Sequence, residues 1–213
     1  LAIEKAYRRI ISVENRLSTW KDDSELSQMN RSPVGRPFAV SSELVRELRT
    51  AIECERETDG AFNPAMAPLM ELWEIRRRKP VHPSKPAVRT ALAESRTSHF
   101  KIEDSSITRL TKSAGIEEGG FGKGLALDEA IREFAGYSSA EIDFGGQVFV
   151  RSRNDRKVEL ANPARRQESL GSLHIREGSV STSGTSERGG HLLDPATGRP
   201  APSWGSVTVV APE

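Results

Sequence analysis

Through the first half of the chain, apolar residues recur at helical spacing. Ile3, Ala6, Tyr7, Ile10 and Leu17 share one face of a predicted first helix, and Arg8, Arg9 and Glu14 fall off it. Ser18-Thr19-Trp20 ends that helix, and Asp22-Asp23-Ser24 caps a short one reaching Met29-Asn30. A second long helix starts after Ser41-Ser42, with Glu43 in its first turn and Leu44, Leu48 and Ile52 on one face; Asp59-Gly60 stops it. Met66 to Ile75 reads as a third helix. A short helix spans about Pro86 to Ser95, after a basic loop from Arg76 to Pro86.

The second half alternates instead. Phe100-Lys101-Ile102 and Ile107-Thr108-Arg109-Leu110 flank Asp104-Ser105 as a predicted hairpin. Leu125 to Phe134 is helical, with Ala126, Ala130, Ile131 and Phe134 on the apolar side. Ala140 to Val150, Val158 to Ala161, Leu173 to Ile175, Val180 to Thr182 and Val207 to Val210 read as strands. Gly145-Gly146 inside the first of these predicts a bulge or a close backbone approach. Helices mostly early and strands mostly late predict an α+β fold rather than a regular βαβ alternation.

Composition narrows the function classes. The 213 residues suit one domain, or a domain with a small lobe. Thirty-one Lys+Arg against thirty Asp+Glu leave a net charge of +1, which lends no support to a nucleic-acid partner. The run Arg76-Arg77-Arg78-Lys79 lacks interleaved aromatics and reads as a solvated loop. No apolar run is long enough for a membrane helix. Cys54 stands alone, which excludes an internal disulfide and a cysteine-rich zinc cage and leaves a buried spectator as its reading. No secretory leader is visible, and the chain opens without Met.

Four clusters carry candidate chemistry. Glu117-Glu118-Gly119-Gly120-Phe121-Gly122-Lys123-Gly124 precedes a helix, so backbone N–H groups, close approach at glycine and a lysine charge suit a phosphate. It departs from a Walker loop at Glu117 and Gly124 and from a dinucleotide fingerprint at Leu125, and a plain glycine turn accounts for it equally. In His191-Leu192-Leu193-Asp194-Pro195-Ala196-Thr197-Gly198, His191 and Asp194 could serve as general base and orienting carboxylate, or the pair could simply build a turn. Ser181 to Ser186 is a hydroxyl-rich turn that could bind phosphate or sugar oxygens or its own backbone. Gly60-Ala61-Phe62-Asn63-Pro64 could hold a ring, or pack Phe62 in the core.

In order along the chain, these clusters resemble the ApbE family of FAD:protein FMN transferases. Ser18-Thr19-Trp20 with Ser24-Glu25-Leu26-Ser27-Gln28-Met29-Asn30 is similar to that family's S-x-Y…S-E-[IL]-S-x-[LM]-N. Gly60 to Pro64 with Pro68-Leu69 and Leu72-Trp73 resembles G-A-F-D-x-T-x-x-P-L…L-W. Glu117 to Gly124 with Asp128 resembles D-L-G-G-I-A-K-G-x-x-x-D, and His191 to Gly198 resembles H-I-I-D-P-x-T-G. Gly145-Gly146 and Thr182-Ser183-Gly184 complete a series that spans nearly the whole chain.

The resemblance implies an α/β roll called the T-fold, FAD as substrate and Mg²⁺ as cofactor. The implied reaction moves FMN onto a Ser or Thr hydroxyl of an acceptor protein and releases AMP. Hydrolysis of FAD to FMN and AMP, or a silent flavin-binding homologue, are the alternatives. It places Trp20, Ala61, Phe62, Asn63, Glu117, Lys123 and Leu192 at the cofactor, the Gly120 carbonyl at the metal, and His191 as base for the acceptor hydroxyl. Trp20 replaces a family tyrosine, Asn63 an aspartate, Ala65 a threonine and Glu117 an aspartate. The family's N-terminal strand and its C-terminal metal-binding segment are not matched, so residues 1–213 are expected to be one such domain lacking those two parts. The expected acceptor is a respiratory or redox membrane complex. The expected location is periplasmic, or on a lipoprotein anchor at the outer side of the cytoplasmic membrane.

Overall fold

The computed structural model describes residues 1–77, 81–165, 167–184, 190–202 and 205–212. Its helices are α1 (Ala2–Leu17), α2 (Glu25–Asn30), α3 (Ser42–Glu57), α4 (Ala67–Leu72), α5 (Lys85–Glu94) and α6 (Gly122–Ile131). Its strands are β1 (Pro37–Ala39), β2 (Phe100–Ile102), β3 (Ser106–Arg109), β4 (Ala140–Asp143), β5 (Gln147–Ala161), β6 (Ser169–Gly184), β7 (Leu193–Asp194), β8 (Arg199–Pro200) and β9 (Ser206–Ala211). This is the predicted α+β arrangement. The chain gathers into two compact units, one of residues 12–122 and 193–201, the other of 1–11, 123–192 and 202–213.

The helical unit begins with serine caps. Ser24, Ser41 and Ser84 each adopt extended backbone, and their side-chain oxygens accept from the N–H of Ser27, Leu44 and Ala87, which starts α2, α3 and α5. The α3 face Leu44, Leu48 and Ala51 is buried, as are Leu26 and Met29 of α2. The apolar stripe of α1 lies at Ala6, Val13 and Leu17 and not along the whole expected face: Ile3 is 78% and Tyr7 62% exposed. Arg16 and Glu47 join α1 to α3 through a buried ion pair, Arg16 Nε donating to Glu47 Oε2 at 2.8 Å. The expected third helix is shorter than Met66–Ile75, because Glu74 turns to positive φ and Ile75–Arg77 forms a separate tight turn. Against α4 and α5, Met66, Leu69 and Ala91 form a core with Trp73, Leu92 and Leu193 around it.

Hairpin β2–β3 forms at the expected place, but β3 also pairs on its other side with β1. At three residues, β1 is too short for alternation to announce it.

In the other unit, β4, β5, β6 and β9 form an antiparallel sheet in that order. Three expectations are corrected here. Val158 to Ala161 is not a separate strand but the end of the 15-residue β5. The stretch 140–150 is two strands, since Gly145 and Gly146 both take positive φ (67° and 101°) and reverse the chain between β4 and β5. The candidates 173–175 and 180–182 are parts of one 16-residue strand, because pairing with β5 resumes on both sides of an irregularity between Arg151 and Arg156, opposite the polar residues between them. Val150, Ile175 and Val180 are buried on this sheet, with Val148, Val158 and Leu173 packed against them. Two helical turns of α6 bury Ala126, Leu127 and Ala130.

Candidate functional site

Glu117 is positioned by three distant segments of the helical unit. Asn30, the last residue of α2, grips Ile116 from both sides. Its Nδ2 donates to the Ile116 carbonyl at 2.8 Å, and its Oδ1 accepts from the Ile116 N–H at 2.8 Å. The Glu117 N–H donates to the Pro64 carbonyl at 2.8 Å, and the Ala67 N–H to the Gly115 carbonyl at 3.4 Å. Just upstream, the buried Arg109 guanidinium donates to the carbonyls of Ser32 (2.9 Å) and Ala114 (3.0 Å). Three of the motifs read from the sequence therefore converge on one loop.

The side chain of Glu117 enters a polar cluster that sequence reasoning missed. Arg76 Nη2 donates to Glu117 Oε2 at 2.8 Å. The same guanidinium bonds to the carbonyl and hydroxyl of Thr19 and stands over the Trp20 ring, with Cζ 5.0 Å from the ring centroid. The Thr19 hydroxyl lies 3.1 Å from Glu117 Oε1 and also meets Glu118 Oε2. One hydroxyl proton serves one acceptor at a time, so Thr19 is shared between the two carboxylates. Burial raises the Glu117 carboxyl above its ordinary range, and the neighbouring Glu118 charge adds to this. Arg76 and the Thr19 hydroxyl pull it back down. Trp20 itself is 64% exposed.

Phe62 stands beside the glycine turn. Its ring makes an edge contact with Phe121 at 6.4 Å between centroids. A Cβ on Gly120 would lie 2.9 Å from Phe62 Cε2, so any side chain here would push the Phe62 ring aside. Ala61 is exposed. Asn63 makes one distant and one local bond: its Nδ2 donates to the Ser95 carbonyl (2.9 Å) and its Oδ1 accepts from the Ala65 N–H (2.7 Å). An aspartate here could not make the first bond, which gives the Asn63 departure a structural reason.

Asp194 likewise serves its own turn. Oδ1 accepts from the Ala196 N–H and Oδ2 from the Thr197 hydroxyl, both at 2.8 Å. That turn is fastened by Trp73, whose Nε1 donates to the Gly198 carbonyl at 2.8 Å. These are turn-building bonds of the kind the sequence offered as one of two readings.

In the sheet unit, Lys123 is exposed in the first turn of α6, and His191 and Leu192 are half-buried. The hydroxyl cluster is strand as far as Gly184, with Thr182 and Thr208 hydroxyls 2.9 Å apart across the β6–β9 ladder; its remainder, Thr185 and Ser186, lies outside the described residues. His82 and His174 are exposed, and His99 is half-buried against Glu94 and Thr111. Cys54 is half-buried rather than buried. Of the basic run, Arg78 and Lys79 lie outside the described residues, while Arg76 belongs to the Glu117 cluster and not to a solvated loop. Nothing local distinguishes Arg76 from Arg77, which is exposed; the proximity of Thr19 and Trp20 singles it out.

Gly120 offers a metal only a neutral carbonyl, and Glu117 is already paired with Arg76. Among the described residues, no three His, Cys, Asp or Glu side chains gather where they could hold an ion. The described residues do not by themselves fit a magnesium site.

A sequence model of the ApbE family matches residues 2–213. The chain belongs to the ApbE family. It is 29% identical to the FAD:protein FMN transferase of Salmonella typhimurium, over 92% of this chain and 62% of that protein. It is 27% identical to the Treponema pallidum protein of the same name, over 99% of this chain and 67% of the relative. Among solved structures, the ApbE protein of Thermotoga maritima superposes with a TM-score of 0.89 at 23% identity, over 99% of this chain and 74% of that one. The flavin transferase ApbE of Vibrio cholerae gives 0.83 at 25%, over 99% and 72%. The fold is thus that of the ApbE proteins, and the chain spans 62% of the length of the first of these relatives.

Proposed function

We propose that this chain is the core of an FAD:protein FMN transferase. The reading is carried by one observation: motifs more than ninety residues apart, at Thr19-Trp20 and Glu117-Glu118, meet around one guanidinium in an ApbE-family chain. Trp20 offers a stacking face, and Phe62 with Gly120 forms a tight aromatic wall. Lys123 and the N–H groups opening α6 suit pyrophosphate oxygens.

In the proposed reaction, the oxygen of an acceptor Ser or Thr attacks the flavin-side phosphorus of FAD. The phosphoanhydride bond breaks, FMN becomes a phosphoester on the acceptor, and AMP leaves with the bridging oxygen. His191 takes the hydroxyl proton. Magnesium enters through the family resemblance alone, where it would neutralise phosphate charge, with Gly120 as its candidate ligand in this chain. The acceptor is proposed to be a respiratory or redox membrane protein, met outside the cytoplasmic membrane.

The test incubates the complete polypeptide with FAD, magnesium and an acceptor domain, followed by mass spectrometry. The expected outcome is an FMN-sized gain on an acceptor Ser or Thr peptide, with equimolar AMP. AMP without an adduct would replace transfer by hydrolysis, and neither product would make the chain a flavin binder without turnover.

A further inference from the structure

We propose that Arg76 is a positioning residue of the flavin-dinucleotide site, locking the Trp20 ring and the Glu117 carboxylate into one preorganised unit. The inference rests on the reading of this site as the FAD site. Its own support is geometric. The guanidinium makes four contacts at once: the Thr19 carbonyl, the Thr19 hydroxyl, Glu117 Oε2 at 2.8 Å, and the Trp20 face at 5.0 Å. Its side chain is 35% exposed against 10% for Glu117, so the pair is partly withdrawn from water and screened less than a surface pair.

An indole as open as that of Trp20 would otherwise sample several rotamers. Any aromatic ring stacking on it would then meet the entropy cost of freezing it. Arg76 removes that cost in advance, since a planar guanidinium is suited both to stack on an indole and to fork between a carboxylate and a carbonyl. One face of the indole is taken by the cation, which leaves the other for a ligand ring. The charge on Arg76 is committed to Glu117, so it orients the pocket rather than meeting the phosphates. Lysine could keep the ion pair but not the fork, and glutamine could keep neither the charge nor the cation–π contact.

The experiment is a double-mutant cycle in the complete chain, with FAD affinity read by calorimetry. Wild type, Arg76→Gln, Trp20→Ala and the double variant are compared, with Arg76→Lys as a partial rescue. Arg76→Gln should weaken FAD about tenfold in the wild-type background. In the Trp20→Ala background the same change should cost no more than about threefold, because the ring that Arg76 orients is gone. Arg76→Lys should fall between. Melting curves exclude unfolded variants, and Trp20, being exposed, tolerates truncation. Equal losses in both backgrounds would mean that Arg76 acts without Trp20, on the ligand or through Glu117 alone, and no loss would mean that it only decorates the loop; either result overturns the proposal. A wild-type chain that binds no FAD refutes the site reading itself, and the proposal with it.

Discussion

Glu117 is where a single residue's chemistry is easiest to test. Its carboxyl is held above the ordinary 4.5, first by burial and then by Glu118, with Arg76 and Thr19 opposing. An acid whose folded pKa is raised binds its proton more tightly in the folded than in the unfolded chain. Stability therefore falls as pH rises from about 4.5 through the folded pKa, and the full cost is present above it. Glu117→Gln should flatten that decline in urea midpoints measured across the window. An unchanged slope would show that other groups carry it. The sequence named Glu117, Trp20 and Phe62 through the motif resemblance, and the fold brings Glu117 and Trp20 to one guanidinium and Phe62 against Gly120. It could not mark Arg76 or Thr19, because their roles come from contacts 41 and 98 residues away along the chain.

Among the elements, α2 shows how a motif with no ligand-binding chemistry can still matter. Ser24 caps it, Leu26 and Met29 anchor it, and Asn30 at its end holds Ile116 by two bonds. Asn30→Ala leaves the Ile116 N–H and carbonyl without these partners, at a cost of about 1–3 kcal/mol. Asn30→Asp keeps the acceptor but sets a carboxylate oxygen against the Ile116 carbonyl, so it should cost at least as much. Chemical denaturation would order the three proteins, and a wild-type midpoint for Asn30→Ala would remove the clamp from the account. The starts of α2 and α3 were legible because a serine before a periodic apolar run is a local signal, whereas α6 begins at Gly122, three residues before the Leu125 expected. Strand limits were less so: β6 runs through exposed polar residues that only its pairing with β5 keeps extended.

At the scale of the whole molecule, ligand linkage gives the broadest test. A ligand that binds only the folded chain stabilises it by about 2.7 kcal/mol at one hundred times its Kd. For a chain of this size that raises Tm by about 5–10 °C. If the proposed function holds, FAD should give this shift at a lower concentration than riboflavin, which has no phosphate. Equal shifts at equal concentrations would argue against a dinucleotide site. Among the described residues, no helix is long and apolar enough to cross a membrane.

By itself, the sequence determined the α+β class, the capped helices, the β2–β3 hairpin and an ordered series of motifs specific enough to name a family. These are local or sequential properties: periodicity, caps, turns and motif order survive in one dimension. Only the tertiary structure decided which side chains meet. It gave Asn63 a hydrogen bond to the distant Ser95 carbonyl and Asp194 bonds within its own turn, reversed the chain at Gly145-Gly146, and turned one arginine of a basic run into the centre of a polar cluster. The physical reason is that hydrogen bonds, stacking and burial depend on distance in space. Two identical arginines side by side, Arg76 and Arg77, differ only in what the folded chain brings to them.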